Sequence, residues 1–267
     1  MKKLTLLGVA CLSVLVTLAQ QNQGKVSYER TSVFQAHLNI NGQESVVPQN
    51  RKENFELYFG NNQSLWKAGE DNNDNIDPTD AGGNMQIRMF STGNDDVMFT
   101  NLASGTRTEK REMFDKSFII DDSVHALKWK MTGESKTILG HTCMQATTTQ
   151  VRQSMRMTMD NGKMERKEFN DTSNIVAWFT NDVPVSTGPA EFQGQLPGLV
   201  LELDVANGRQ HYIAKTVETK VDLAIIKEPT GKKHYTPAEF RKETEKMMKE
   251  MQDNMGGGGQ RVIRVNN

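Results

Sequence analysis

The sequence predicts a mainly β protein with a minor α component: one antiparallel sheet and a single C-terminal helix. Three observations lead there. Short runs alternating apolar and polar residues recur along the chain, the pattern of half-buried strands. Clusters of Gly, Asn and Asp separate these runs at short intervals, which joins neighbours as hairpins and leaves no room for βαβ crossovers. One segment near the end carries helix-start chemistry. The 267 residues are 36% hydrophobic and 24% charged. That supports a packed core and is not a disordered composition. A formal net charge of -1 excludes a globally basic nucleic-acid binder and a strongly acidic solvating protein.

The elements follow in order. Met1-Lys2-Lys3 is a short positive region, Leu4 to Leu18 an apolar run, and Thr17-Leu18-Ala19 offers small residues ahead of the polar Gln20-Gln21-Asn22. Residues 1–19 therefore read as a secretory signal peptide cleaved after Ala19, which places the mature protein in the periplasm or outside the cell. Gly8-Val9-Ala10 precedes Cys11, as in a lipoprotein signal, but the apolar run continues past it, so Cys11 belongs to the leader. Cleavage leaves Cys143 as the one cysteine, and no internal disulfide can form. No later run reaches about 18 apolar residues, so the mature chain has no transmembrane segment.

Residues 20–235 are the predicted β domain. Val26–Arg30 is a first strand, and Phe55–Phe59 with Ser64–Lys67 forms a hairpin around Gly60-Asn61-Asn62-Gln63. Met85–Phe90 and Val97–Thr100 flank a second turn. Thr106–Ile120, Ala126–Met131, Lys136–Val151, Asn174–Phe179, Leu199–Val205 and His211–Leu223 continue the series. Gly69 to Asn84 is a solvated loop. Its Asp71, Asn73 and Asn75 copy the first calcium-loop positions, but Ile76 and Gly82 stand where Gly and Glu are needed. Val183 to Pro197 carries three prolines and cannot be regular strand throughout. The helix spans 236–255, with Thr236 as N-cap, Pro237 at N1 and Glu239 completing a capping box. Phe240, Met247, Met248, Met251 and Met255 share a face that either packs on the sheet or meets a partner. Residues 256–267 form a Gly linker and tail, whose Arg261–Val265 can pair with a sheet edge or stay free.

Gln195-Leu196-Pro197-Gly198-Leu199-Val200 resembles the motif that names the GLPGLI family, secreted proteins of Gram-negative bacteria with no assigned activity. Lys128-Trp129-Lys130, Lys136 to Cys143, Ala146-Thr147, Ala177 to Thr180, Val183-Pro184 and Gly188-Pro189 follow in the order that family shows. The resemblance covers about Phe114 to Glu218. Gln195 replaces a Gly of the family name, and His141 stands where an aromatic residue is expected. The same stretch is similar to the lipoprotein-carrier half-barrel, an open sheet curled around a helix. That resemblance implies an apolar groove. Within the motif, Leu196, Pro197, Gly198 and Leu199 have no proton-transferring or nucleophilic side chain, so they read as a structural corner. Gly198 would matter there if its φ is positive. Trp129 and Trp178 read as core residues.

The search for chemistry is mostly negative. The sequence has no nucleophile elbow, zinc-protease helix, P-loop or dinucleotide fingerprint. Cys143 lies two residues from His141 with no orienting third group, so a buried inert thiol is expected. No catalytic residue or resident cofactor is expected, and the chain reads as a non-catalytic module for an apolar small molecule or an envelope protein. One alternative stands. His141, Cys143, Met144, Met155, Met157 and Met159 supply the soft ligand types that copper(I) prefers, although an alternating Met strand also fits a core face.

Overall fold

The computed structural model describes residues 22–40, 43–69, 96–113, 116–160 and 163–256. The leader, the Asp71–Asn75 loop, the Met85–Phe90 strand and the tail after Gly256 lie outside them. The strands are β1 (Gly24–Ile40), β2 (Gln43–Gly60), β3 (Gln63–Ala68), β4 (Val97–Asn101), β5 (Thr106–Met113), β6 (Lys116–Ser123), β7 (Lys130–Ile138), β8 (His141–Asp160), β9 (Lys163–Thr180), β10 (Leu199–Val205), β11 (Gln210–Glu218) and β12 (His234–Tyr235). They form one 12-stranded sheet in the order β12-β6-β5-β4-β3-β2-β1-β11-β10-β9-β8-β7. The fold is mainly β, as predicted, and the sheet is open, in keeping with a curled half-barrel. Its pairs are antiparallel except β12, whose two residues join β6 in parallel.

Two long hairpins dominate the sheet. Gly24 pairs with Phe59 and Ile40 with Gln43; Met144 pairs with Phe179 and Asp160 with Lys163. Val26–Arg30, Phe55–Phe59 and Asn174–Phe179, expected as short strands, are the inner ends of these arms. Two runs expected as single strands are hairpins instead. Thr106–Ile120 folds back so that Met113 meets Lys116. Lys136–Val151 breaks at Leu139-Gly140, with φ of 49° and 83°, the paired left-handed conformation that suits a two-residue hairpin turn. Of Ala126–Met131, only Lys130 onward is strand, and His211–Leu223 ends as strand at Glu218.

The main core lies on the inner face of the sheet. Val26 and Tyr28 of β1, Phe55, Leu57 and Phe59 of β2, Trp66 of β3, and Ile175, Ala177 and Phe179 of β9 are buried there. Trp66 stacks on Phe55 at 4.9 Å. The segment 183–198 covers this surface: Val183, Ala190, Phe192 and Leu196 belong to the same core. Each large side chain so buried contributes about 1.5–3 kcal/mol. Several polar atoms carried inward find partners. The Tyr28 hydroxyl donates to Val200 O at 2.5 Å, Ser64 Oγ donates to Gln193 Oε1, and Gln193 Nε2 donates to Ala190 O at 2.9 Å.

Helix α1 (Pro237–Gly256) starts where the capping box predicts. Glu239 Oε2 accepts from Thr236 N at 2.8 Å, and Thr236 Oγ1 accepts from Glu239 N at 3.2 Å. Phe240 and Met247 pack on Phe118 and Ile120 of β6, so this part of the apolar stripe faces the sheet. Replacing Met247 by Ala should cost about 2 kcal/mol by removing that contact, read as a lower thermal midpoint; an unchanged midpoint would mean that the helix does not dock in solution.

Candidate functional site

The Leu196–Leu199 corner is built by close backbone approach. Leu196 and Leu199 are buried and Pro197 is exposed. Leu199 N donates to Val183 O at 3.1 Å, and Val200 N to Thr187 O at 2.9 Å. The need for Gly198 is not a positive φ, since it is absent from the left-handed residues. A Cβ there would stand 2.1 Å from the Thr180 carbonyl oxygen, so the requirement is space. Gln195, the departure from the family name, has work a Gly could not perform. Its Oε1 accepts from Leu127 N at 3.0 Å and its Nε2 donates to His125 O at 2.9 Å.

Trp129 and Trp178 are half-buried, packed against the core without entering it. Their indoles meet polar groups at the rim, which explains the difference from full burial. Lys136 Nζ lies 4.2 Å from the Trp178 ring centroid and 2.6 Å from Glu202 Oε2.

The soft ligand set is not assembled into one site. Cys143 is fully buried and burial pushes its thiol up to about 11, which suits an inert group. His141 Nδ1 lies 3.2 Å from Asp182 Oδ2. Met144 alternates to the face opposite Cys143 and is exposed. Met155, Met157 and Met159 follow on the same unbroken strand β8, so Met155 is about 40 Å along it from Cys143. Among the described residues, no group of three or more His, Cys, Asp and Glu side chains converges as a metal site.

A pocket of about 460 Å³ opens at the seam where the two arms of the curled sheet approach each other. Strand β5 supplies Arg107, Glu109 and Arg111, and β8 supplies Gln150 and Arg152 from the far arm. Glu191, Phe192 and Gln195 come from the covering segment, and Arg241 comes from α1. Met98 and Leu127 add apolar surface beside Phe192. Glu191 ties the seam: it pairs with Arg152, while its carbonyl accepts from Arg107 Nη2 at 2.8 Å. Burial acts to raise the Glu191 pKa, but the Arg152 guanidinium, with Arg107 beyond, outweighs it and holds the carboxyl below its ordinary value. The chain's own segment 183–198 packs on the inner face, and this pocket is walled largely by charged side chains. Sequence reasoning missed these residues because they are charges spread over elements far apart in the chain. One signal was legible: Glu191 is the only charged residue between Val183 and Pro197.

A family model described as a protein of unknown function (Porph_ging) matches residues 129–202. That span includes Trp129, Trp178 and the Leu196–Leu199 corner. No curated protein matches the chain. A solved structure described as PNGF-II in a C2 space group is similar at 18% identity with a TM-score of 0.42, over 79% of this chain. The chain spans only 31% of that structure's length, and so loose an overlap does not bear on fold or activity.

Two substitutions separate the corner's two constraints. Leu199→Ala should cost about 2–5 kcal/mol through a core cavity. Gly198→Ala should cost about 1–3 kcal/mol or more through collision with Thr180 O. Denaturant melts check both, and wild-type stability in either variant would show that its constraint is absent.

Proposed function

We propose that the chain is an exported, non-catalytic binding module of the GLPGLI type, working in the periplasm or outside the cell. The seam pocket carries this reading. It is enclosed by elements from both arms of the sheet, and its chemistry suits recognition: guanidinium groups hold a fixed charge and do not exchange protons at ordinary pH. The leader-like residues 1–19 support export, and the match over residues 129–202 overlaps the motifs that suggested the family. The charged lining of this pocket favours a polar ligand there over the apolar one the sequence suggested. Exposed Met131 of β7, Leu139 of the β7–β8 turn, Val151 of β8 and Phe169 of β9 leave an envelope protein as the other class of partner.

Copper(I) binding stands as a second reading, narrowed to one end of a hairpin. Met155, Met157 and Met159 hold alternate positions on β8, and Met164 of β9 pairs with Met159. Thioethers are ligands that suit a soft monovalent ion.

Native mass spectra of the protein recovered from its own cell envelope should show a non-covalent adduct that is lost on collisional heating. Spectra that hold only the bare chain in every preparation overturn the binding-module reading. For copper, the wild-type chain should take up Cu(I) in competition with a chelator. The Met155→Leu, Met157→Leu, Met159→Leu triple variant should lose that uptake without loss of fold, since Leu conserves volume. Equal uptake by both proteins removes these methionines from the proposal.

A further inference from the structure

The seam pocket holds charge and hydrogen-bonding capacity that the protein does not use. Arg107, Arg111, Arg152 and Arg241 face Glu109, Asp122 and Glu191 around it. Four guanidiniums thus meet three carboxylates. Arg152 is engaged with Glu191 and Arg111 with Glu109 at 2.7 Å. Asp122 takes the His125 ring at 3.1 Å. The guanidinium of Arg241, exposed on α1, makes one hydrogen bond among the described residues, a 3.4 Å contact with the neutral Gln153 side chain. With histidine counted as neutral, one positive charge is left over, at the helix side of the pocket.

A second observation is independent of the charge count. Arg107 is only 6% exposed, and its Nε is a buried donor without a partner. Gln150 Oε1, on the opposite arm, is a buried acceptor without a partner. Buried polar groups are nearly always satisfied, and an orphan is costly. Here an orphan donor and an orphan acceptor stand in the walls of the same pocket.

We propose that the seam pocket binds a small hydroxycarboxylate of the size of one sugar acid. Its carboxylate lies toward Arg107 and Arg241, and a hydroxyl donates to Gln150 Oε1. The inference rests on the reading of the chain as a binding module and names the ligand class. A carboxylate matches the planar fork of a guanidinium. Its single charge balances the one left over, whereas a phosphate dianion would add a further negative charge beside Glu109, Asp122 and Glu191. An apolar ligand would leave both orphan groups unpaired. The volume of about 460 Å³ falls within the usual range for small-molecule sites, about 300–1,000 Å³. Met98, Leu127 and Phe192 offer apolar surface to the carbon skeleton. Side-chain rotations of the kind common on binding expose the two buried atoms to the ligand.

Isothermal titration of the exported chain tests this with D-glucuronate, D-galacturonate and D-gluconate as probes, and with D-glucose and glucose 6-phosphate as controls. At least one hydroxycarboxylate should bind, with the controls at least tenfold weaker. Arg241→Gln should weaken that binding at least tenfold while the melting temperature of the free protein stays unchanged, because Arg241 is exposed. No heat from any of the three acids, equal or tighter binding of a control, or unchanged affinity in Arg241→Gln overturns the proposal. An uncharged adduct in the native mass spectrum together with silent titrations refutes the hydroxycarboxylate and leaves the binding module standing. A bare chain with silent titrations removes both.

Discussion

A sheet that curls without closing leaves an apolar inner face that must be covered, and in this chain the cover is the segment between β9 and β10. The rest of the structure depends on how closely that segment can approach. At Gly198 it passes so near the Thr180 carbonyl that a Cβ would lie 2.1 Å from the oxygen. At Gly188 a Cβ would meet the Val200 side chain at 2.9 Å. Close approach lets Val183, Phe192 and Leu196 reach the core of β1, β2 and β9, and dispersion and burial then hold the arms in their curled form. The backbone groups carried inward are not orphaned. They pair along the segment's own turns and with β10, as buried amides require.

The same segment sets the electrostatics of the seam. Glu191 is its one charge between Val183 and Pro197, placed where Arg152 of one arm and Arg107 of the other can both reach. Partly withdrawn from water, its carboxylate is held by these partners. Its lowered pKa gives a sign to the linkage. The stabilisation from this pair is present above the ordinary carboxylate range and is lost as the pH falls through the lowered value. The seam is thus joined by apolar packing beneath and by ion pairs above, and the pocket is the space between the two.

Much of the fold was legible because the signals were local. The Asn61-Asn62 turn, the capping box of Thr236 and Glu239, and the alternation of Phe55–Phe59 each act within a few residues. The long hairpins were legible only at their ends. Alternation does continue in Phe34–Ile40 and Met155–Met159, so what went unread is the length of the arms and not a change of pattern. The clue to them lay in chemistry of another kind: Asn41-Gly42 and Asn161-Gly162 stand between the paired arms. The break at Leu139-Gly140 was hidden because leucine rarely takes a left-handed φ. Trp129 and Trp178 were read as core, but their polar ring nitrogens and a neighbouring lysine favour the rim. The site was almost wholly illegible, since Arg107, Arg152, Glu191 and Arg241 converge only through tertiary folding.

Gln195 shows how a departure from a family pattern can carry structure. A glycine at this position would leave the covering segment free of the strand-like stretch before β7. Glutamine instead bridges it to Leu127 and His125, with Trp129 Nε1 3.5 Å from the same oxygen. The stretch from His125 to Trp129 forms one side of the seam pocket, so this one amide fixes the distance between the cover and that wall. The charged rim and the motif corner are therefore coupled through Gln195. A change at the corner that shifts the segment also shifts Glu191 between its two arginines, and the pocket inherits its shape from the packing of residues that never touch a ligand.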